Sequence, residues 1–420
     1  MQLTRRRLAQ QAAMAAAATL LADKTLRADE AAHTTAELEP SLQLPDRSQF
    51  VASNYQVSLN NARWHPMSKG ALNAVQEYLA YKQRGIWQPP DLSSAIQQQV
   101  RNEFAALIHA QSDDIAYVNS TTAGETMFVS ALGFPKLEGN IVTDALHFEG
   151  SLYMYDALAR QGVDVRVAKV RDWRIHLEDL AKLIDAKTRL VAISQVSFIN
   201  GFEHDLKAVC ELAHAHGALV YVDAVQAAGC IPIDVQKCGV DALGCASYKW
   251  LMGDMGIGFL YVSAHAREQL HRTLYGYRQL EEFSYHAFPW DKPGHFPVDW
   301  KQASTTAGFF EIGTYANPVI AALSFSLPWL RKVGIEKIQA HTQSMNQRLR
   351  AELPRLGYSC ITPEESHAPV TAYLVREMET TQAALRRNKV DVSLSEGRMR
   401  ISPSVYNSME DVEKLLAALG

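Results

Sequence analysis

Short apolar runs alternate with amphipathic stretches through the middle of the chain. The apolar runs are QSDDIAYVNS, GNIVTD, DVRVAKV, RLVAISQVS, ALVYVDAVQ, DALGCASYK and GIGFLYV, and several of them lack period-two alternation. That texture is typical of strands buried on both faces. Stretches between the runs, such as DLKAVCELAHAHG, have helical spacing and end in glycine. The pattern predicts an α/β fold in which helices cover a parallel or mixed sheet.

The pattern changes towards both ends of the chain. From about residue 317 long helical stretches are followed by short strands, which predicts a smaller α+β domain over residues 317–420. We place a large domain over residues 65–316 and an N-terminal arm over residues 31–64.

Residues 1–30 have the character of a leader. Thr4-Arg5-Arg6-Arg7-Leu8 precedes an alanine-rich stretch that is too short and too mildly apolar to cross a membrane. The segment resembles a twin-arginine export signal, the alternative being a chance basic leader. We therefore expect a periplasmic protein that is exported in the folded state and has no membrane anchor.

Composition excludes several classes of function. The 420 residues carry a formal net charge of -4 and show no basic stripe, so nucleic-acid binding is not predicted. The five cysteines include no C-x-x-C pair and no metal-ligand spacing, which argues against a disulfide framework and against a metal site.

One lysine stands out from its apolar surroundings. In ALGCASYKWLMGDMGIGFLYV, Lys249 follows directly on a predicted buried strand. Desolvation lowers the pKa of such a lysine and makes its amine a nucleophile that forms Schiff bases. A lysine whose stem merely covers core surface fits the same stretch, and taken alone Lys249 favours that alternative.

Asp223 and Gln226 strengthen the chemical interpretation. Asp223 ends the apolar strand of VYVDAVQAAG, where a carboxylate is costly unless it meets a cation. The pyridinium nitrogen of pyridoxal phosphate is such a cation, and Gln226 lies where it can bind the cofactor's phenolic oxygen. Helix capping by Asp223 is the alternative.

A phosphate site is predicted between a strand and a helix. YVNSTTAGETMFVSALGF supplies Thr121 and Thr122 at a helix N-terminus, where free amides and the macrodipole bind phosphate. An ordinary Ser/Thr helix cap fits this segment equally well.

Asp223, Gln226 and Lys249, in this order and spacing, resemble the class V aminotransferase family of fold-type-I pyridoxal phosphate enzymes. The resemblance spans most of residues 50–420 and implies a mostly parallel seven-stranded sheet in the large domain. It implies that Lys249 binds pyridoxal 5'-phosphate and then acts as the base. Asp223 would pair with the ring nitrogen, Gln226 with the phenolic oxygen, and Thr121 and Thr122 with the phosphate.

The same resemblance implies further contacts. His147 falls where the family stacks an aromatic ring on the cofactor, although a half-buried polar residue fits there too. Ser247 and Tyr248 stand near a serine that binds the phosphate in relatives. EIGTYANP resembles a segment that reaches the neighbouring subunit, so Thr314 would contact the partner's phosphate in a homodimer.

At the substrate end, SEGRMRISPSVYNSMEDVEKLL aligns Arg400 with the family's carboxylate-binding arginine, and Arg398 is a weaker candidate. A solvated charge on an edge strand is the alternative for either. Phe198 stands where many relatives have a polar cofactor contact, which Asn200 could replace. TTQAALRRNKVDVSLSEGRMR contains no cysteine, so the nucleophile of a cysteine desulfurase is missing.

These features together predict an exported aminotransferase-like enzyme that acts on an amino acid or on a glutamyl-type amine beside a carboxylate. Exported members of the family are few, and the resemblance to one that tailors the siderophore pyoverdine implies a siderophore-peptide substrate. A C–S β-lyase acting on cysteine or cystine, and an epimerase, are alternatives. A catalytically silent binding protein on the same scaffold is an alternative of another class.

Overall fold

The strands predicted from the apolar runs form one central sheet in the computed structural model, which describes residues 43–85 and 94–420. The predicted export signal lies outside the described residues. The sheet has the order β2-β8-β7-β6-β5-β3-β4. Its strands are β2 (Ile115–Val118), β3 (Asn140–Asp144), β4 (Asp164–Ala168), β5 (Thr188–Ser194), β6 (Leu219–Asp223), β7 (Ala242–Ala246) and β8 (Gly258–Val262).

Only β8 runs against its neighbours in this sheet, since its pairings with β2 and β7 are antiparallel and the others are parallel. The prediction of a mostly parallel seven-stranded sheet is thus confirmed. The carboxyl ends of neighbouring parallel strands lie along one edge of a sheet. In open α/β sheets ligands bind just outside that edge. This edge is where the candidate site lies.

Helices connect these strands and cover the sheet. Those up to residue 310 are α1 (Lys69–Gln83), α2 (Ser94–Leu107), α3 (Thr121–Leu132), α4 (Glu149–Arg160), α5 (Leu177–Ala181), α6 (Leu206–His214), α7 (Val235–Cys238), α8 (Ala264–Arg267) and α9 (Thr306–Phe310). Most of these strands are buried on both faces, as β6 and β7 show by having no exposed residue, whereas the edge strand β4 is partly exposed. Phe104 of α2 stacks on Phe259 of β8 with ring centroids 4.0 Å apart. Full burial of one such ring stabilises the fold by about 1.5–3 kcal/mol.

The C-terminal part has its own sheet and core. The helices α10 (Asn317–Val333), α11 (Ile335–Glu352), α12 (Met378–Arg387) and α13 (Met409–Leu419) accompany an antiparallel sheet of order β11-β14-β13. Its strands are β11 (Thr371–Leu374), β13 (Ser393–Ser395) and β14 (Arg398–Ile401). A separate cluster of buried side chains fills this part, including Tyr373, Met399 and Ile401. The α+β character predicted here is confirmed, while the domain boundaries stay predictions.

The N-terminal segment packs on this C-terminal part. β1 (Val57–Ser58) pairs in parallel with β12 (Val390–Asp391), and Asn60 bridges to Ser402. Ala62 then donates its N–H to Ser402 Oγ at 2.9 Å. The segment therefore leads from the small sheet towards the central one.

A hairpin between the two parts was not predicted from the sequence. β9 (Leu280–Tyr285) pairs with β10 (Val298–Gln302) in antiparallel register, and its aromatic side chains are largely exposed. No helix among residues 43–85 and 94–420 is long and apolar enough to cross a membrane.

Candidate active site

The carboxyl edge of the central sheet brings the predicted lysine and aspartate together. β6 ends at Asp223, and β7 ends at Ala246, three residues before Lys249. The Asp223 charge acts on the pKa of Lys249, and the Lys249 charge acts on that of Asp223. The two groups therefore lie within electrostatic range of each other.

Asp223 is buried, with 2% of its surface exposed. Oδ1 accepts one hydrogen bond, from Val225 N at 2.9 Å, and the described residues supply none for Oδ2. Burial raises the pKa of Asp223 to about 6, although the His147 charge acts in the opposite direction. The helix-capping alternative is wrong for Asp223, because a turn follows β6 and the next helix, Val235–Cys238, is capped by Asp234. The carboxylate thus has an unfilled capacity for a cation.

Lys249 is 7% exposed, and among the described residues its Nζ has no hydrogen bond and no ion pair. Nζ lies 5.5 Å from the centre of the Tyr248 ring. Burial, and to a smaller extent the Arg400 charge, lower the pKa of Lys249 to about 8, while Asp223 raises it. Lowering the pKa from 10.5 to about 8 increases the neutral amine at pH 7 about 300-fold.

Gln226 is held by two partners. Its Nε2 donates to Ala62 O at 3.0 Å, and its Oε1 accepts from Trp250 Nε1 at 3.0 Å. Because the indole only donates, it fixes which end of the amide is the oxygen. One N–H of Nε2 remains for another acceptor, as the predicted contact with a phenolic oxygen requires. Trp250, fully buried, is a supporting residue that we did not predict.

The predicted phosphate segment separates into residues with different tasks. Ser120 caps α3 by accepting from Ala123 N at 3.1 Å. Thr121 is buried, and its Oγ1 accepts from Ala246 N of β7 at 3.0 Å, so it joins the helix to the sheet. Thr122 is half-buried, and no hydrogen bond occupies its hydroxyl within the described part of the chain. The capping alternative thus applies to Ser120, and Thr122 is the residue with a free hydroxyl.

Ser247 and Tyr248 also differ. The Ser247 hydroxyl is buried and donates to Asp254 O at 2.6 Å, and the Ser247 carbonyl accepts from Gly253 N. These bonds fix the turn that follows β7. Tyr248 is half-buried beside Lys249. The phosphate contacts of both residues stay predictions, and the geometry gives Ser247 a role in the turn.

His147 occupies a closed environment. It has no exposed surface, and its ring nitrogens lie 2.8 Å from Ser194 Oγ and 3.1 Å from Glu125 Oε1. Burial would lower the pKa of His147, but the charge and hydrogen bond of Glu125 outweigh it and raise that pKa. The His147 ring has no exposed face within the described chain, and the Tyr155 ring of α4 lies 6.2 Å from it, centroid to centroid. The stacking contact of His147 stays a prediction.

Glu125 is the centre of that cluster and was not singled out from the sequence. The carboxylate has no exposed surface and accepts from Ser151 Oγ and from Tyr155 Oη, the latter at 2.7 Å. Burial raises the pKa of Glu125, and His147 with these hydroxyls lowers it by more. The sequence feature that could have identified Glu125 is a glutamate in the first turns of a predicted apolar helix.

Phe148 and Phe198 present aromatic surface near the predicted phosphate segment. Their rings meet edge to face with centroids 5.5 Å apart, and both side chains are half-buried. A Cβ added at Gly150 would meet the Phe148 ring and, at 3.6 Å, Thr122 Oγ1. Asn200 does not replace a polar contact at Phe198. Its amide is used for Trp173 O and Ile361 O, 2.6 and 3.2 Å away.

Arg400 reaches the same region from the small sheet. It is 9% exposed, and its Nη1 donates to Phe198 O at 2.7 Å. Its Nε is buried without a partner. Burial, followed by the charges of Arg398 and Arg63, lowers the pKa of Arg400 to about 10. A buried guanidinium with unused donors is suited to a carboxylate ligand and unlike a solvated edge charge.

Thr314 lies beside the start of the predicted phosphate segment. It is exposed and lines a cavity of about 360 Å³ together with Asn119 of that segment and with Ile257, whose carbonyl accepts from Ser247 N. The contact of Thr314 with a partner's phosphate stays a prediction.

Neither Cys245 nor Cys360 has the surroundings of a catalytic nucleophile. Burial raises the pKa of the Cys245 thiol, which lies on β7 near Asp223. Cys360 bridges to Tyr373 of β11, and its Sγ lies 3.6 Å from Thr362 O. No group of His, Cys, Asp and Glu among residues 43–85 and 94–420 could hold a metal ion.

Comparison with known proteins identifies the class. Residues 67–415 match the family model Aminotransferase class-V, and the chain belongs to this family. A probable cysteine desulfurase of Methanothermobacter thermautotrophicus is 26% identical over 324 residues, which are 76% of this chain and 77% of that protein.

Solved structures share the fold. The apo cysteine desulfurase of Thermococcus onnurineus NA1 superimposes with a TM-score of 0.77 at 23% identity, over 90% of this chain and 98% of that one. A cystine C-S lyase complexed with its product cysteine persulfide gives a TM-score of 0.77 at 21% identity, over 88% and 99% of the two chains. The assignment of a fold-type-I enzyme is therefore confirmed.

The cofactor of this family is pyridoxal 5'-phosphate. The side chains at the carboxyl edge of the sheet fit this cofactor. The unpartnered Lys249 amine matches an aldehyde, and the unfilled Asp223 oxygen matches a ring N–H. Thr122 at the N-terminus of α3 matches a phosphate group. These residues would hold the cofactor between β6, β7 and α3.

Proposed function

We propose that this chain transforms an amino acid at its α-carbon with pyridoxal phosphate, as an aminotransferase-like enzyme. The observation that carries this proposal is the Lys249 amine, which is buried, unpartnered and flanked by Asp223 and Arg400. Pyridoxal phosphate supplies an electron sink for the charge that develops at the α-carbon.

The residues of the chain have distinct tasks in this proposal. Arg400 binds the substrate carboxylate with its unused donors and orients the α-carbon bond. Lys249, with its lowered pKa, removes the α-proton as a neutral amine. Asp223 accepts the N–H of the pyridine ring and keeps it protonated. Gln226, fixed by Trp250, sets the orientation of that ring through its remaining N–H.

C–S β-elimination from cysteine or cystine is the second candidate, and a specific observation favours it. The relatives named above are desulfurases and a C-S lyase, and elimination requires no cysteine nucleophile. The described cysteines fit that requirement, because Cys245 is buried with a raised pKa and Cys360 is engaged on β11.

The visible spectrum of the purified holoenzyme during additions of glutamate, alanine, cysteine and cystine distinguishes the candidates. Conversion to pyridoxamine phosphate with release of a keto acid supports transamination and identifies the donor. Pyruvate and sulfide from cysteine or cystine support elimination, and racemised substrate supports epimerisation. A spectrum that no amine changes contradicts the proposal and supports the silent binding protein.

We further propose periplasmic export and a siderophore-peptide substrate, both of which rest on the leader sequence. Cell fractionation of the full chain with a C-terminal tag tests export. Arg5→Lys combined with Arg6→Lys should retain the protein in the cytoplasm if the twin-arginine route is used. Equal periplasmic amounts of both forms contradict that route. Conversion of the glutamyl amine of a siderophore precursor to a carbonyl group, with transfer of the amino group to the cofactor, tests the substrate.

A homodimer with shared sites is proposed from the Thr314 segment. Thr314 is exposed and lines a cavity that Lys249 does not line, and its segment resembles one that reaches the neighbouring subunit in relatives, so it would serve the site of a second copy. Mixing inactive Lys249→Ala and Thr314→Ala chains should restore one working site in each mixed dimer. Absence of any restored activity, with mixed dimers present, contradicts shared sites.

A further inference from the structure

One face of the small sheet carries a row of polar side chains. Arg398 and Arg400 alternate along β14, so both point to the same side, while Met399 between them is buried in the C-terminal core. Ser395 lies directly opposite Arg398, and Ser393 lies opposite Arg400. Because Arg400 contacts Phe198 O, this face is turned towards the candidate active site.

A third arginine reaches this face from the N-terminal segment. Arg63 follows Ala62, whose N–H is bound by Ser402 and whose carbonyl is bound by Gln226. These two bonds place the start of the Arg63 side chain between the end of β14 and the cofactor side of the site. The charges of Arg398 and Arg63 both act on Arg400, so each lies within electrostatic range of it. Arg398 is half-buried and Arg63 is exposed.

No carboxylate of the described residues forms an ion pair with any of these three arginines. Asp391 lies within range of the Arg63 charge, but burial raises the pKa of Asp391 and its Oδ1 accepts from Asn60. Glu396 lies in the β13–β14 turn and is exposed, without an ion pair in this part of the chain. Positive charges within range of one another repel, and a bound anion relieves that repulsion most at the buried Arg400.

We propose that Arg63 and Arg398 bind a second carboxylate of the substrate, beside the one that Arg400 binds. The enzyme would then select amino acids with two acid groups, a class that includes both glutamate and cystine. This inference rests on the proposed function, and it holds for transamination and for elimination alike. A single carboxylate would occupy Arg400 and leave the donors of Arg398 and Arg63 available for a second one.

The test measures the preference of the holoenzyme for glutamate over glutamine, as the ratio of kcat/KM values or of spectral titration constants. These substrates have the same length and differ in the distal charge. Arg398→Gln and Arg63→Gln should each lower the ratio about tenfold, the effect of losing one partly solvated charge-assisted contact. Arg386→Gln, on the exposed end of α12, is the matched control and should leave the ratio unchanged.

Calorimetry with glutarate and butyrate separates this inference from the proposed function. Both acids lack an amine and bind without any reaction. Glutarate should bind the holoenzyme more tightly than butyrate, and Arg398→Gln should remove that difference. Equal binding of the two acids, or a ratio that Arg398→Gln and Arg386→Gln change equally, overturns the inference. Tighter glutarate binding without any response to amines would contradict the proposed function alone.

Discussion

Two buried polar clusters lie on the same edge of the central sheet and differ in how completely they are partnered. Around Glu125, the side chains of His147, Ser151 and Tyr155 occupy the carboxylate, and Ser194 occupies the other nitrogen of the imidazole. Around Lys249, the amine, one oxygen of Asp223 and the Nε of Arg400 have no partner among the described residues.

This difference indicates that the Glu125 cluster stabilises the fold, whereas the Lys249 cluster is suited to bind a ligand. A satisfied buried network is rigid, and removing one member leaves the others unpaired. An unsatisfied set of charges costs folding free energy, which a ligand of opposite charge can offset. Both clusters contain an acid and a base in the same kind of surroundings. Only their hydrogen-bond partners distinguish them.

The largest expected effect is that of Lys249→Ala in the open cluster. Loss of a positioned base alone lowers rates by about 10²–10⁴-fold. The variant should also lose the visible absorbance of covalently bound cofactor, because Lys249 is the one buried lysine among the described residues. Absorbance after dialysis, together with single-turnover rates for the best amine, measures both effects.

Lys237→Ala is the control, since Lys237 is an exposed lysine of α7. It should keep both the visible band and the rate. A Lys249→Ala chain that retains a dialysis-resistant band would contradict the role assigned to this residue.

Glu125→Ala is expected to break the closed cluster. It leaves an imidazole and two hydroxyls buried without their acceptor, and breaking a buried pair in this way costs about 3–5 kcal/mol. The free energy of unfolding from urea titration of the cofactor-free chain measures the loss. Glu125→Gln keeps one acceptor oxygen and should cost less.

Glu103→Ala gives the reference for a surface carboxylate. Glu103 pairs with Arg331 on the outside of the fold, and exposed pairs are worth about 0–1 kcal/mol. If Glu125→Ala were as mild as Glu103→Ala, the cluster would not be the rigid structural unit described above.

Asp223→Asn should increase the free energy of unfolding of the cofactor-free chain, whereas Glu125→Ala decreases it. Burial raises the pKa of Asp223 from 3.8 to about 6, so its ionised form is less stable in the folded state than in the unfolded state. The free energy of unfolding therefore falls as the pH rises from about 4 through 6, by about 1–3 kcal/mol. Asn removes this penalty, and the variant should be more stable than the parent chain at pH 7.

With cofactor bound, the parent chain should be more stable than Asp223→Asn, because the pyridinium charge compensates the Asp223 carboxylate. Unfolding curves at pH 5 and pH 7, with and without pyridoxal phosphate, provide the comparison. A destabilised Asp223→Asn chain at pH 7 without cofactor would show that Asp223 already has a cationic partner in the protein.

The central sheet could be predicted from the sequence because its strands are apolar on both faces and end at polar residues such as Asp223. The β9–β10 hairpin could not, because its aromatic side chains are exposed and give no burial pattern. Two helices, α10 and α11, follow from one long helical stretch that is divided at Gly334, which has a φ of 89°.

The candidate site was predictable only where a residue's chemistry conflicts with its surroundings. Asp223 ends an apolar strand and Lys249 follows another one among apolar residues, and this conflict is visible in the sequence alone. The different tasks of Thr121 and Thr122 depend on which hydroxyl faces β7. The proximity of Arg63 to Arg400 depends on contacts between residues more than 300 positions apart, and no local pattern records them.

The smallest expected effect concerns the pH dependence of cofactor loading. The neutral Lys249 amine is the form that attacks an aldehyde, and burial lowers the pKa of Lys249 to about 8. Below that pH the neutral fraction, and hence the loading rate of cofactor-free protein, should rise about tenfold per pH unit. Above about pH 8 the rate should level off. Stopped-flow absorbance between pH 6 and pH 10 measures the profile. Arg400→Gln should move the levelling-off to higher pH, because the Arg400 charge lowers the pKa of Lys249 and the variant lacks it. A rate that keeps rising beyond pH 10 would mean that Lys249 has the pKa of an ordinary surface lysine, and the open cluster would then lack the electrostatic character that sets it apart from the closed one.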